Sequence, residues 1–578
     1  MKLQTSLLAA SMAALPLLAA PSAHAAAPLM GGPVSQSAAE NASVISTLMS
    51  QRARNALSSH HGFAMASRHP GEAGTSIARF NHTYKGVRVY GSESVVVTGA
   101  RGKIVSESAS DRRAGLGRQG DLDVTPAISS GKAIALASAS APNGTAIDPP
   151  SAELLVYPIM KDVRLPSAAR KAESELNALD VEEVVDRYVL AYLVKTRTQK
   201  GQQRVFRDTI VNARTGAVIE QWDALQTVAG TGLSQYNGSV PLNTTLSGST
   251  YSMIDPSRGA RGLYGGMAIT NANHTSSAGA VYTNATNTWG DGKQYIAGSS
   301  TTNANGQTAA VNAMWGLMNT YDMYKNTLGW QSLDGQNTAT YIAVHVNTAY
   351  DNAYYSDGCK CMFIGDGGTY FTDLGSIDVI GHEMSHGVTA ATSNLAYRGE
   401  SGGLNESHSD IGGEVTEAYA RAGGTGTIIP STGNDWMTGK EIARDGIPLR
   451  YMYKPSKDGR SADAWSRSLK RLDVHYSSGP NNRMFYFLSQ GSSAVSSSDY
   501  HSRYLTKAPL AMTGIGSDKA FRIWFKALST KFTSSTNYAD ARSKVLAAAQ
   551  ELYGVGSREA IAVQRAYAAI NVGLDVAE

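Results

Sequence analysis

Apolar and polar residues alternate with a period of two along FNHTYKGVRVYGSESVVVTGARGKIVSES, residues 80 to 108, with glycines between the runs. That pattern predicts antiparallel strands. From 125 to 223 the texture is mixed: AISSGKAIALASAS reads as a helix, whereas RYVLAYLVKTRT and RVFRDTIVNARTGAVIEQWDAL read as strand pairs, ARTG being a turn. Near residue 225 the composition changes. From there to about 375 the chain is rich in Gly, Asn, Thr, Ser and Tyr, with short strands such as TATYIAVHVNT. From about 376 helical periodicity dominates, ending in SDKAFRIWFKALSTKF and DARSKVLAAAQELYGV. A sheet-rich part followed by a helical part predicts an α+β protein.

The first residues point to export. Lys2, the uncharged apolar run at 6–20 (SLLAASMAALPLLAA) and the small-x-small site Ala23-His24-Ala25 form the layout of a secretory signal peptide over 1–25. The run is short for a membrane span, and no later stretch approaches twenty apolar residues, so an exported, soluble protein is expected. The chain beyond residue 25 is too long for a single core and predicts several domains. A formal charge of +4, with only 17% charged residues, argues against a nucleic-acid binder. Disulfides are not the framework, because the chain has only Cys359 and Cys361. Such a Cys-x-Cys pair can be a disulfide, a soft-metal ligand pair or two free thiols. Export favours the disulfide, although two-residue separation makes its geometry difficult.

The chemistry starts at DVIGHEMSHGVT, residues 378–389. On a helix, His382 and His386 share one face and can reach one ion, while Glu383 projects about 100° round. The pair alone equally fits two histidines that pack or face water, and a zinc site needs a third protein ligand. Downstream, ESGGLNESHSDIGGEVTEAYARA places Glu406, Asp410, Glu414 and Glu417 on one helical stripe. Like charges so spaced are mutually unfavourable. A solvated acidic face is the ordinary reading of a charge run, but Gly402, Gly403, Gly412 and Gly413 would weaken an exposed helix. Close packing against another helix, together with bound cations, accounts for both features.

H-E-x-x-H at 382–386 followed by N-E-x-x-x-D at 405–410 resembles the thermolysin family of zinc metalloproteases, and more closely its pseudolysin and vibriolysin branch. The resemblance is good from about residue 340 onward and covers the rest in outline. It implies a two-lobed catalytic domain, β-rich over 226–376 and helical over 377–578. Before it would come an α+β pro-region with a fungalysin/thermolysin-type module at 26–120 and a PepSY-like module at 121–225. His382, His386 and Glu406 would bind zinc, with Asp410 orienting His382 and Glu383 acting as the base towards water. Tyr397 and His475 would donate to the oxyanion, with Asp473 holding His475. Asn352 and Ala353, in DNAYYSDG, and Arg450 would bind the peptide backbone.

Calcium ligands implied by the resemblance are Asp378, Glu414, Glu417, Asp435 and the carbonyl of Met437, although 421–433 is longer than the family's usual connection. Leu374, Val379, Thr438, Ile442 and Leu449 would line an apolar pocket for the residue after the scissile bond. Thr438 stands where relatives place an aliphatic residue. The implied protein is a secreted, monomeric zinc endopeptidase with one zinc and structural calcium. It would be made as a zymogen, its pro-region serving as chaperone and inhibitor, and would cut proteins and peptides before bulky hydrophobic residues. It would have no nucleic-acid partner and no stable membrane association. An inactive, metal-stabilised binding or inhibitory module on the same fold is the alternative, and such a module has no need of Glu383.

Overall fold

The computed structural model describes residues 38–578 except 51–56, 73, 100–101, 114, 118–119, 140–144, 201–202, 224–225, 230–235, 248–249 and 261. The expected signal peptide and the junction at 225 lie outside the described residues. The α+β architecture expected from the sequence is the one the chain adopts.

The N-terminal part holds α1 (Ala38–Ser50), β1 (His61–Pro70), β2 (Ser76–Tyr84), β3 (Val87–Thr98), β4 (Ile104–Ser110), α2 (Ser130–Ala139), β5 (Thr145–Arg164), β6 (Val181–Lys200), β7 (Gln203–Asn212) and β8 (Val218–Asp223). All eight strands form one sheet in the order β1-β2-β3-β5-β6-β7-β8, with β4 on β3. The two expected pro-region modules are joined within it, because β3 runs parallel to β5 through Arg88↔Leu155 and Val89↔Val156. The sequence pattern does not predict helix α1. Its buried residues Val44 and Leu48 lie one turn apart and pack on Ala78, Phe80 and Val96. Two apolar positions among alanines, serines and threonines are a faint periodic signal.

The next part contains β9 (Gln226–Ala229), β10 (Thr245–Ser247), β11 (Thr250–Ser252), β12 (Ile254–Asp255), β13 (Met267–Asn271), β14 (Ala280–Val281), β15 (Thr283–Asn284), α3 (Ala304–Met323), β16 (Tyr341–Val344), β17 (Asn352–Ser356) and β18 (Cys361–Ile364). Its main sheet runs β12-β13-β16-β18-β17-β9, so β9 is an edge strand. The helical part completes the chain with α4 (Ile377–Ala391), α5 (Gly399–Arg421), the strand pair β19 (Met437–Thr438) and β20 (Arg450–Tyr451), α6 (Val474–Ser477), α7 (Gly479–Gln490), α8 (Ser517–Thr530), α9 (Tyr538–Tyr553) and α10 (Arg558–Ala569). Among the described residues no helix is long and apolar enough to cross a membrane.

Helices α4 and α5 pack without room for side chains at their closest points. A Cβ on Gly412 would stand 2.0 Å from Ser385 Oγ, and one on Gly413 2.4 Å from Asp378 O. On the far side of α5, a Cβ on Gly402 would meet Val474 at 2.4 Å. The glycines thus permit close approach at a cost in helix propensity, and the acidic stripe between them is buried.

The N-terminal sheet grips the helical part through Arg79. This buried guanidinium donates to the carbonyls of Phe532 at 2.7 Å, Ser529 at 3.0 Å and Leu528 at 3.2 Å, groups left open where α8 ends. Burial pulls its pKa down to about 10, with Glu93 opposing, so it stays charged. Glu93 in turn accepts from Ser534 at 2.6 Å.

Cys359 and Cys361 form a disulfide in the turn between β17 and β18. Thiol titration of the denatured, unreduced protein is expected to find no thiols, and titration after reduction to find both. Two thiols before reduction would remove the bridge.

Candidate active site

Helix α4 presents His382 and His386 from one buried face towards α5. Their Nε2 atoms lie 3.0 Å apart. Glu406, from α5, brings Oε2 to 3.5 Å from His382 Nε2 and Oε1 to 3.4 Å from His386 Nε2. Tetrahedral zinc with bonds near 2.0 Å spaces its ligand atoms about 3.3 Å apart, so two imidazole nitrogens 3.0 Å apart, each with an oxygen of the same carboxylate 3.4–3.5 Å away, suit the ion. Each imidazole is steered from its other nitrogen: His382 Nδ1 meets Asp410 Oδ1 at 2.9 Å, and His386 Nδ1 meets Asn405 Oδ1 at 2.9 Å. Both Nε2 lone pairs are thereby directed to one point. Burial lowers His386 to about 3, keeping it neutral. Burial would also lower His382, but Asp410 and Glu406 lift it to about 9, a field that favours a cation at this place. Burial raises Glu406 less than His475, His386 and His382 lower it, so it is an anion. Its Oε2 is buried and accepts no hydrogen bond.

Glu383 is buried on the next residue of α4, and its charge reaches Tyr397. The Tyr397 hydroxyl donates to Glu406 Oε1 and lies 3.3 Å from His475 Nε2. Burial, then Glu406, pushes the phenol well above its ordinary range, so it remains a proton donor. His475 Nδ1 is 2.7 Å from Asp473 Oδ1. Burial would lower His475, yet Glu406 and Asp473 raise it to about 9. Arg450 is committed to Asp410, donating from Nε at 2.7 Å and Nη2 at 2.5 Å.

Asn352 and Ala353 begin β17, and the buried Asn352 Oδ1 accepts no hydrogen bond. The backbone row that β17 offers is taken by the chain itself. Strand β9 pairs antiparallel with it through Asn352↔Ala229, Ala353↔Val228, Tyr354↔Thr227 and Tyr355↔Gln226, and also contacts α4.

Leu374, Val379 and Ile442 are buried in one apolar cluster, with Leu449 packed against it. Thr438 is buried beside them and pairs with Arg450 across β19 and β20. Behind this wall, Glu414, Glu417 and Asp435 bring carboxylate oxygens within 4.8 Å of one another. Asp435 lies with Glu414 and Glu417 although the 421–433 connection is long. Asp378 is outside this group of three: its Oδ1 accepts from Ser376 Oγ at 2.5 Å and its Oδ2 from Gly439 N at 2.7 Å. Its charge nevertheless bears on Glu414 and Glu417. Met437 N donates to Asp435 Oδ1 at 3.0 Å, placing that residue alongside. Burial comes first in raising Glu414 and Glu417, with neighbouring carboxylates adding to it. Arg421 answers Glu417 at 2.5 Å, and Lys440 answers Asp435 at 2.9 Å. Glu414 Oε2 is buried and accepts nothing. Three converging hard oxygens suit calcium.

Family models agree with this geometry. Residues 229–390 match the thermolysin metallopeptidase catalytic domain, and 393–572 match its alpha-helical domain. The chain belongs to the thermolysin metallopeptidase family. Residues 62–110 match the fungalysin/thermolysin propeptide motif, so this family member carries a propeptide. It is 43% identical over 367 residues to the transglutaminase-activating metalloprotease of Streptomyces mobaraensis, a match covering 63% of this chain and 45% of that protein. It is 29% identical to the thermolysin of Alicyclobacillus acidocaldarius, over 87% of this chain and 84% of that one. The solved precursor of protealysin, a metalloproteinase from Serratia proteamaculans, superposes with a TM-score of 0.41 at 24% identity. That match covers 55% of this chain and 89% of the other.

The roles of three parts of this thermolysin-family site are not marked by the sequence. Asn405 sits inside the N-E-x-x-x-D motif, yet its role shows only when its amide is seen held by Leu395 O at 3.0 Å and facing His386. Asn482, from α7, donates to Asp410 Oδ2 at 2.7 Å and has no motif to mark it. Strand β9 has four residues and no periodicity to read.

Proposed function

We propose that this chain is the secreted zymogen of a zinc endopeptidase that cleaves peptide bonds on the N-terminal side of bulky apolar residues. The group of His382 Nε2, His386 Nε2 and Glu406 carries this reading, because its spacings suit zinc and the buried Glu406 Oε2 accepts no hydrogen bond. Zinc, when bound by these residues, would supply Lewis acidity at the scissile carbonyl and the attacking water. Glu383 takes a proton from that water and passes it to the leaving nitrogen as the C–N bond breaks. Tyr397 and His475 donate to the carbonyl oxygen as it gains charge, with Asp473 holding the imidazole. Arg450, fixed by Asp410, is offered to the carbonyl of the next residue. Asn352 and Ala353 hold the extended backbone, while Leu374, Val379, Thr438, Ile442 and Leu449 receive the apolar side chain. Glu414, Glu417 and Asp435, with Asp378 and the Met437 carbonyl, form the calcium site.

In this reading the enzyme is inert because β9, which directly follows the pro-region, lies on β17, where a substrate would pair, until cleavage near this junction releases it. Signal-directed export and a monomeric state complete it. N-terminal sequencing of the secreted protein with metal analysis tests the proposal. One zinc per chain is expected, with hydrolysis lost on chelation, regained on adding zinc, and a mature N-terminus near β9. Zinc-free protein that still cleaves would overturn it.

A further inference from the structure

Thr438 stands where the apolar wall meets the acidic cluster. Its carbonyl accepts from Leu449 N at 2.9 Å, on the pocket side. Its hydroxyl donates to Glu414 Oε1 at 3.1 Å, on the cluster side. The neighbouring Gly439 N donates to Asp378 Oδ2, and Asp378 directly precedes the pocket residue Val379 on α4. One part of the pocket wall is therefore tied to a carboxylate of the cluster, and a second to Asp378, whose charge bears on it. Glu414 is fully buried and its Oε2 accepts no hydrogen bond, which marks the cluster as built to receive a cation.

We propose that Thr438 couples the acidic cluster to the specificity pocket, so that calcium at Glu414, Glu417 and Asp435 sets which apolar side chain the pocket prefers. This deepens the reading above and rests on it. A cation fixes the Glu414 carboxylate, the Thr438 hydroxyl moves with its acceptor, and the methyl group on the same carbon moves with it into or out of the pocket. An aliphatic side chain at this position has no hydroxyl with which to track Glu414. Coupling between two ligands is reciprocal in binding, so a peptide whose affinity calcium raises must also tighten calcium.

The test uses the mature, zinc-saturated enzyme and two peptides that differ only in Leu or Phe after the scissile bond. Initial kcat/KM is measured with saturating Ca2+ and with a calcium-selective chelator, and Ca2+ binding is titrated calorimetrically. The Leu:Phe ratio of the wild type is expected to move about threefold or more between the two conditions, within what one pocket contact can discriminate. Thr438→Val should hold its ratio steady and bind Ca2+ about 3- to 10-fold more weakly, the worth of one hydrogen bond. Thr438→Ser should restore both behaviours. A wild type that binds Ca2+ but keeps the same ratio would overturn the coupling alone. A chain that binds no Ca2+, or cleaves neither peptide, would overturn the underlying reading and the coupling with it.

Discussion

The Glu383→Gln chain will keep its zinc and its fold while hydrolysis falls about a hundred- to ten-thousand-fold, the usual worth of a positioned proton acceptor. The substitution is nearly isosteric, and Glu383 is not one of the three residues that converge on the metal position. His382 and His386 keep Asp410 and Asn405 behind them, and Tyr397 and His475 still donate. Only the group able to accept a proton from water is lost. Elemental analysis for zinc and peptide hydrolysis on the same purified protein decide the matter. If maturation is self-inflicted, the variant also accumulates as the uncut precursor. Near-normal hydrolysis by the zinc-loaded variant would remove Glu383 from the chemistry.

Asp410→Ala is expected to destabilise the protein by about 3–5 kcal/mol, the scale for breaking a buried ion pair. Asp410 is fully buried and accepts from Arg450, His382 and Asn482 together. Burial would raise its carboxyl, but Arg450 and His382 hold it well below the ordinary carboxylate range. Removing it strands a buried guanidinium and frees His382 to turn, so zinc occupancy should fall as well. Denaturant midpoints compared in the Glu383→Gln background, where self-digestion cannot intrude, give the answer. Asp410→Asn, which keeps the volume but not the charge, should fall between wild type and Asp410→Ala. An unchanged midpoint for Asp410→Ala would show that Arg450 finds another partner.

The zinc triangle is legible in the sequence because its residues lie on two helices whose 3.6-residue period puts each set on one face. The glycines of α5 are legible for a related reason: four of them beside an acidic stripe make sense only against a close neighbour. What stays hidden depends on pairings that no local pattern encodes. Asn482 reaches Asp410 across 72 residues. Arg450 is shared between Asp410 and its expected substrate role, and only the folded chain shows the first of these duties. The joining of the N-terminal strands into one sheet rests on a two-residue parallel contact.

The pairing of β9 with β17 also bears on solubility. A strand edge able to recognise any extended peptide through its main chain can equally recruit a strand from another molecule, the route by which exposed edges seed aggregation. Such an edge is most hazardous while a chain is newly made and crowded by copies of itself. The row of N–H and C=O groups on β17 is covered by four residues of the same chain, held at an effective concentration no neighbour can match. The segment proposed to deny substrates entry would therefore also shield the nascent protein from its own copies.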